Sequence, residues 1–197
     1  MTPEILILAA GASSRMRGAD KLLEPVAGQP LITHLARQAL ATGCPVTVAL
    51  PPGGGAREAA LHGLAVTRLR VPRPEEGMAE SLKAGLTSLP PKAPVLLLLG
   101  DMPEITAADL SLVLDAHAAA PDRIHRGAGA DGTPGHPVLF PAWARAELAD
   151  LAGDQGAKAV LARHAAQVML VPLPGDHATT DLDTPEDWAR WRAARGG

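Results

Sequence analysis

Two basic residues follow a short apolar run near the start of the chain. The segment ILILAAGASSRMRGADKLL, residues 5–23, passes from a predicted buried strand into a bend of small residues that carries Arg15 and Lys21. Small residues let backbone N–H groups approach an anion, Arg can bind two phosphate oxygens at once, and Lys acts as a point charge. The segment therefore predicts a phosphate-binding loop, with a surface loop of solvated arginines as the alternative.

An aspartate follows the most apolar segment of the chain. Asp101 lies in LLLLGDMP, residues 96–103, directly after a run that predicts a central strand covered on both faces. A carboxylate at that edge of a sheet is placed to hold Mg²⁺, which takes one or two carboxylates together with phosphate oxygens. A turn or cap role for Asp101 is the alternative.

Two further polar residues have a structural explanation beside a chemical one. Asp183 opens the segment DTPE, a strong helix start in which capping explains the carboxylate, and a second Mg²⁺ ligand is the alternative. His136 lies between Gly135 and Pro137 at the start of a predicted short strand. A lone His there is more often structural or solvated than functional.

Several reaction classes lack their sequence signatures. The chain has no G-x-S-x-G, and Cys44 has no activating neighbour in sequence, so covalent catalysis is unsupported. G-x-x-x-x-G-K-[ST] and G-x-G-x-x-G are also absent, which argues against a Walker loop and an NAD-binding dehydrogenase. Phosphate, a divalent cation and positioning remain, and these are the means of phosphoryl or nucleotidyl transfer.

Composition limits the partners. The 197 residues carry a net charge of −3 and only 2% aromatic residues, so we expect no nucleic-acid partner. The single cysteine excludes an internal disulfide and a thiolate zinc cluster. No apolar stretch reaches roughly 18 residues and no basic region precedes the first apolar run, so we expect no membrane association and a cytoplasmic protein.

Strands and helices alternate through the first part of the chain, which predicts an α/β domain with a parallel sheet and helices on both faces. We expect a single domain, residues 1–197, with an insertion or edge hairpin near 123–140. The predicted strands are residues 4–9, 46–50, 65–71, 94–99, 123–126, 136–140 and 167–171. The predicted helices are residues 30–42, 56–62, 78–88, 106–119, 141–151, 155–164 and 185–194.

Taken together, these segments resemble the nucleotidyltransferases of molybdenum-cofactor maturation, above all the molybdenum-cofactor cytidylyltransferases. The resemblance covers nearly the whole chain and rests on LAAGASSRMRGADKLLEPVAGQPLI, EEGMAESLKAGL, LLLGDMP, GHPVLF followed by LAGDQGAKAVL, and DLDTPED. The first, third and last belong to the wider nucleotidyltransferase group, whereas GHPVLF with GDQGAKAVL marks the molybdenum-cofactor branch more particularly.

The resemblance implies a three-layer α/β/α, Rossmann-like fold of the nucleotide-diphospho-sugar transferase type with a mostly parallel sheet. It also implies a reaction in which the terminal phosphate of molybdopterin attacks the α-phosphate of CTP, or another nucleoside triphosphate, and expels pyrophosphate. A molybdoenzyme, or its chaperone, is then the candidate protein partner.

The resemblance also assigns roles to residues. Asp101 and Asp183 would be Mg²⁺ ligands, and His136, within GHPVLF, would lie on the acceptor side. Arg15, Lys21 and Asp101 are the implied catalytic residues. The implied nucleotide-binding residues are Leu8, Ala9, Ala10, Gly11, Arg15, Lys21, Ser81 and Asp101.

Cytosine is the expected base. Guanylyl-transferring relatives tend to have LAGG where this chain has LAAG at residues 8–11, and the methyl group of Ala10 would narrow the space that a purine needs. One departure from the family pattern concerns the loop: Gly commonly follows Arg-Met directly, whereas here Arg17 intervenes before Gly18.

Two alternatives remain open. A cytidylyl-, uridylyl- or guanylyltransferase for a sugar or polyol phosphate would share the phosphate loop and Asp101, but it gives no reason for GHPVLF and GDQGAKAVL. A non-catalytic nucleotide-binding module that delivers cofactor to a partner enzyme would bind nucleotide without Mg²⁺-dependent turnover.

Overall fold

A computed structural model describes residues 1–151 and 157–195. Seven strands of these residues form one sheet in the order β5-β4-β1-β6-β8-β7-β9. Its strands are β1 (Glu4–Leu8), β4 (Val46–Leu50), β5 (Thr67–Arg70), β6 (Val95–Leu99), β7 (Ile124–Ala128), β8 (Pro134–Phe140) and β9 (Val168–Pro172). Strands β2 (Pro25–Val26) and β3 (Gln29–Pro30) form a separate antiparallel ribbon, which the sequence analysis did not predict.

Helices cover both faces of the sheet. They are α1 (Leu31–Leu40), α2 (Gly55–Ala60), α3 (Met78–Ser88), α4 (Ala107–Ala119), α5 (Arg145–Ala149), α6 (Lys158–Arg163) and α7 (Pro185–Ala194). The apolar residues of α1, α4 and α7 pack against one face, and those of α3, α5 and α6 pack against the other. The predicted three-layer α/β/α arrangement with a mostly parallel sheet is therefore confirmed. Within the described ranges, no helix has the length and apolarity that a membrane span requires.

The two central strands, β1 and β6, are buried on both faces of the sheet. Along β6, Val95 and Leu97 belong to the core on one face, whereas Leu96 and Leu98 belong to the core on the other. A strand whose successive side chains both meet a helix layer has no polar face to show, which is why the segment VLLLL does not alternate. Strand β1 pairs in parallel with β6 from Glu4↔Val95 to Leu8↔Leu99, so both strands end at the same edge.

The direction of the sheet reverses at β8. This strand runs antiparallel to both neighbours, β6 and β7, while β9 adds parallel to the far side of β7. The predicted hairpin near 123–140 is thus present as β7 and β8, but it lies inside the sheet and not at its edge. Because β8 is reversed, its first residues arrive where β6 ends.

Two helical predictions after the hairpin need adjustment. The predicted helix at 141–151 is a 3-10 turn at Ala142–Ala144 followed by the short helix α5. The predicted helix at 155–164 corresponds to α6, and residues 155 and 156, with the whole of the GDQG segment, lie outside the described residues.

Candidate active site

The loop after β1 and the residue after β6 emerge side by side. Gly100 N donates a 3.0 Å hydrogen bond to the carbonyl oxygen of Leu8, which ties the end of β1 to the turn that carries Asp101. In open α/β sheets, ligands bind beyond the carboxyl ends of the strands. The structure therefore brings the predicted phosphate loop and Asp101 together at the edge where a ligand is expected.

Lys21 lies between two carboxylates at this edge. Its ammonium nitrogen is 2.6 Å from Oδ2 of Asp101 and 2.6 Å from Oδ1 of Asp183. Burial alone would lower the pKa of Lys21, but the charges and hydrogen bonds of the two aspartates outweigh burial and raise it above its ordinary value. Both carboxylates contact the same group, the ammonium of Lys21, so they concentrate negative charge at one point of the site.

The carboxylate of Asp183 can face the site because the next residue, Thr184, caps α7. Thr184 is the N-cap of α7: its hydroxyl accepts from the backbone N–H of Asp187, whose carboxylate accepts from the backbone N–H of Thr184. Leu182 N donates to the carbonyl oxygen of Asp101, which holds this segment against the end of β6. The structural alternative for Asp183, that of helix cap, therefore does not apply. Its Oδ2 instead accepts from Nη1 of Arg15.

A third carboxylate adds to the negative charge. Burial and the nearby charges of Asp101 and Asp183 raise the pKa of Asp181 above its ordinary value. The sequence analysis did not select Asp181, although it lies in the DLDTPED segment that carries Asp183.

The carboxylate oxygens of Asp101 and Asp183 fit a hard divalent cation whose remaining ligands come from a substrate and from water. Oδ1 of Asp101 is buried and has no hydrogen-bond partner among the described residues, so it has lone pairs available for a ligand. Residues 1–151 and 157–195 contain no group of three or more His, Cys, Asp or Glu side chains that could bind a metal by themselves. Two carboxylates completed by phosphate oxygens and water is the arrangement that Mg²⁺ prefers.

A cleft of about 490 Å³ is lined by Asp101 and Lys21. It brings together most of the predicted nucleotide-binding residues: Leu8, Ala9, Ala10, Gly11, Lys21, Ser81 and Asp101 all line it. Arg15 does not line it. The side chain of Arg15 is 69% exposed and pairs with Asp183 at the rim. A second cleft of about 520 Å³ shares Ala10 and Gly11 with the first and extends to the loop at residues 51–55.

His136 lies at the start of β8, apart from the residues that line these two clefts. Its backbone N–H donates to the carbonyl oxygen of Ala178 at 2.8 Å. Burial, with the charges of Arg126 and Lys158, lowers the pKa of His136 to about 4, and the charge of Asp101 opposes this only in part. The imidazole is therefore neutral at physiological pH and lies within the electrostatic reach of Asp101.

Arg17 has the backbone conformation that the family pattern assigns to glycine. Its φ is 52°, in the left-handed region, and Gly18 follows with φ 96°. Its guanidinium pairs with Glu186 of α7 at 2.6 Å. The inserted arginine thus keeps the turn after Met16 and connects it to the helix that follows Asp183.

A partly buried ion pair beneath the loop was not predicted from the sequence. Arg57 of α2 has Nε 2.6 Å from Oδ2 of Asp20 and Nη2 2.8 Å from Oδ1 of the same carboxylate. Burial would raise the pKa of Asp20, but the hydrogen bonds and charge of Arg57 outweigh it and lower the pKa. No local pattern marks Arg57, because the partners of its side chain lie 37 to 48 residues away in sequence.

Comparison with solved structures finds chains with the same fold. Rv0371c from Mycobacterium tuberculosis H37Rv superposes with a TM-score of 0.83 at 28% sequence identity, covering 96% of both chains. A second Rv0371c structure, a complex with manganese, has a TM-score of 0.79 at 26% identity over 96% of this chain and 97% of that one. A nucleotidyl transferase from Methanothermobacter, Mth528, has the same fold, with a TM-score of 0.79 at 20% identity over 98% and 97% of the chains.

Comparison with curated proteins gives partial matches. The bifunctional protein GlmU of Burkholderia thailandensis is 35% identical over 113 residues, which cover 57% of this chain and 25% of that protein. GlmU of Halorhodospira halophila is 37% identical over 112 residues, 56% of this chain and 24% of that protein. The matching segment thus spans about a quarter of these relatives.

A family model covers most of the chain. The family model of the MobA-like NTP transferase domain matches residues 5–168, and the chain belongs to that family. The predicted membership of the wider nucleotidyltransferase group is confirmed at the level of this family.

Proposed function

We propose that the protein is a Mg²⁺-dependent cytidylyltransferase that moves CMP from CTP to the terminal phosphate of molybdopterin or the molybdenum cofactor and releases pyrophosphate. The observation that carries the proposal is the convergence of Asp101 and Asp183 on Lys21 at the mouth of the cleft behind the β1 loop. Two carboxylates that can hold Mg²⁺, together with a lysine that can bind phosphate, suit a substrate whose reacting groups are phosphates.

The chemistry needs little from the protein besides charge. An oxygen of the acceptor phosphate forms a bond to the α-phosphorus, and the bond from that phosphorus to the bridging β-phosphate oxygen breaks. The attacking group is already an anion, so no strong general base is required. The barrier comes from repulsion between anions and from charge that grows on the leaving pyrophosphate.

Each chemical requirement has a candidate residue. Mg²⁺, held by Asp101 and Asp183, supplies charge neutralisation at the α-phosphate when bound. Lys21 and Arg15 stabilise the leaving pyrophosphate, together with N–H groups of the β1 loop. Phosphate oxygens of a bound nucleotide would replace the carboxylates of Asp101 and Asp183 as partners of these two cations.

The acceptor side is the start of β8, where His136 lies. A further cleft of about 490 Å³ is lined by two cationic side chains, Arg126 and Lys158, beside apolar residues of α6 and β9. A neutral His136 adds no charge there, so the two cations remain to attract an anionic acceptor. A flat ring with a phosphate tail suits such a combination of apolar and cationic groups.

Cytosine is the base we favour, since this chain has LAAG at residues 8–11 where guanylyl-transferring relatives tend to have LAGG. Ala10 is 3% exposed and lines both clefts behind the β1 loop. One methyl group discriminates by about 1–3 kcal/mol, enough for a preference between bases.

The proposal is tested in two assays. A thermal-shift panel of CTP, GTP, ATP and UTP with Mg²⁺ ranks the bases, because a ligand of the folded state raises stability by mass action. Pyrophosphate release is then measured with molybdopterin and with sugar and polyol phosphates as acceptors. Release with molybdopterin and CTP supports the proposal. Release only with a sugar or polyol phosphate establishes the alternative transferase, and nucleotide binding without any turnover establishes a delivery module.

A further inference from the structure

The buried Arg57 is bonded to the backbone of the loop after β1. Its side chain is 7% exposed, and its Nη1 donates to the carbonyl oxygen of Ala9 at 2.6 Å and to that of Gly11 at 2.7 Å. Its Nη2 also contacts Oγ of Ser13 at 3.0 Å. One guanidinium from α2 thus contacts three residues of the loop after β1.

These two carbonyl contacts determine where the neighbouring N–H groups point. In a trans peptide unit the C=O and the N–H of the next residue point in opposite directions. Because the carbonyls of Ala9 and Gly11 face Arg57, the N–H groups of Ala10 and Ala12 face away from it. Neither N–H donates to another backbone or side-chain group among the described residues. They are donors available to a ligand in the clefts that Ala10 and Ala12 line.

The same guanidinium reaches the segment that carries Lys21. Its fork binds both oxygens of Asp20, and Oδ1 of Asp20 accepts from the backbone N–H of Leu22 at 3.0 Å. Asp20 is therefore the cap of the 3-10 turn Lys21–Leu23. Arg57 thus connects the two groups proposed to bind a triphosphate at this edge of the sheet, namely the N–H groups of the loop and the ammonium of Lys21.

We infer that Arg57 is a positioning residue for the nucleotide: it orients the peptide units after β1 so that the N–H groups of Ala10 and Ala12 bind phosphate oxygens, and it fixes Lys21 beside them. The inference rests on the proposed nucleotide site. A lysine cannot replace Arg57, because a single ammonium cannot bind a carboxylate in a fork and two carbonyls at the same time.

Arg145 provides a matched control. It is also a buried arginine, 8% exposed, and it donates to the carbonyl oxygens of Ala93 at 3.0 Å and Leu86 at 2.6 Å. Those contacts hold the end of α3 against the start of β6, away from the loop after β1. Arg145→Lys therefore removes a comparable set of bonds without changing the nucleotide edge.

The experiment compares Arg57→Lys with Arg145→Lys. Backbone ¹⁵N order parameters are measured in ligand-free protein, and the affinities for Mg–CTP and for Mg-pyrophosphate are measured by calorimetry on the folded fraction. We expect Arg57→Lys to lower the order parameters of residues 10–12 and to weaken both ligands by about tenfold or more, with KM raised and kcat lowered. Arg145→Lys should leave these quantities as in the wild type while lowering stability.

Unchanged order parameters and affinities in Arg57→Lys would overturn the inference, as would equal losses in the two variants. If Arg57→Lys does not fold, Asp20→Asn is used instead, since it weakens the grip of the fork without opening a cavity, and it should shift both readouts in the same direction. Wild-type protein that binds no nucleoside triphosphate would refute the proposed function, whereas the order parameters in ligand-free protein still test the role of Arg57.

Discussion

Asp101 and Asp183 each hold a carboxylate oxygen 2.6 Å from one ammonium nitrogen, that of Lys21, although one follows β6 and the other precedes α7. The carboxylate of Asp101 keeps one buried oxygen without a partner among the described residues. Ion pairs thus connect the residues proposed to bind phosphate with those proposed to bind the metal.

Asp101→Asn and Asp183→Asn should each lower turnover by about 10²-fold or more, because each removes a negative charge from the proposed metal site while keeping the side-chain size. The measurement is Mg²⁺-dependent pyrophosphate release. Asp115→Asn, a change at an exposed residue of α4, serves as the control and should be unaffected. Near-normal turnover with unchanged Mg²⁺ dependence in Asp101→Asn would remove the residue from the site.

Arg17→Gly should be more stable than Arg17→Ala by about 1 kcal/mol, since glycine adopts a φ of 52° without the steric cost that alanine retains. Both variants lose the exposed ion pair to Glu186, so their difference isolates the backbone term. Urea denaturation of the two variants measures it. If Arg17→Ala is the more stable of the two, the turn is not strained at this residue.

His136 should make the protein less stable in acid. The unfolded chain protonates this imidazole near its ordinary pKa of 6.5, whereas the folded protein does so only at about 4. The free energy of unfolding therefore falls as the pH drops from about 6.5 to about 4, by up to about 3 kcal/mol from this group. Arg126, Lys158 and Asp101 are the charged groups that act on it.

The matching comparison is denaturation from pH 7 to pH 4. His136→Gln should show a shallower loss of stability than the wild type over this interval, and His62→Gln, at an exposed position, should follow the wild type. Parallel curves for the wild type and His136→Gln would contradict the lowered pKa.

Gly135→Ala should separate the acceptor side from the nucleotide side. A Cβ at this position would lie 1.8 Å from the carbonyl oxygen of Ala178, a backbone atom that cannot turn aside. We expect a loss of about 1–3 kcal/mol in stability and weaker acceptor binding, with the affinity for Mg–CTP unchanged. Gly11→Ala, whose Cβ would meet no atom within 4 Å, is the stability control. Normal acceptor kinetics in Gly135→Ala would argue against the start of β8 as the acceptor side.

Local patterns in the sequence were sufficient to predict much of the fold. The segments EILIL, VTVAL and VLLLL are short, apolar and bounded by Gly or Pro, and each is a strand of the sheet. Asp101 could be selected because it follows such a boundary, and Lys21 because it ends the bend of small and basic residues after β1. The position of the hairpin inside the sheet could not be predicted, since it depends on β9, which joins β7 from a distant part of the chain.

Long-range contacts account for the site features that were missed. The role of Arg57 becomes apparent only from its ion pair with Asp20, and the sequence around either residue does not indicate the other. The choice of Thr184 over Asp183 as the cap of α7 was also open in the sequence, because either residue type caps helices well. The structure decides it by holding Leu182 against the carbonyl of Asp101, which leaves Asp183 facing Lys21.

The reversal of direction at β8 has a consequence for how such a protein can diversify. The β1 loop, Lys21 and Asp101 all come from the first 103 residues, whereas the hairpin that meets them comes from a later stretch of chain. Changes in the turn at residues 129–133, and in the ends of β7 and β8 beside it, would alter the groups near Asp101. They would leave the β1 loop and Lys21 unchanged. Under the proposed function, the preference for an acceptor could therefore change through this hairpin while the proposed nucleotide side is kept.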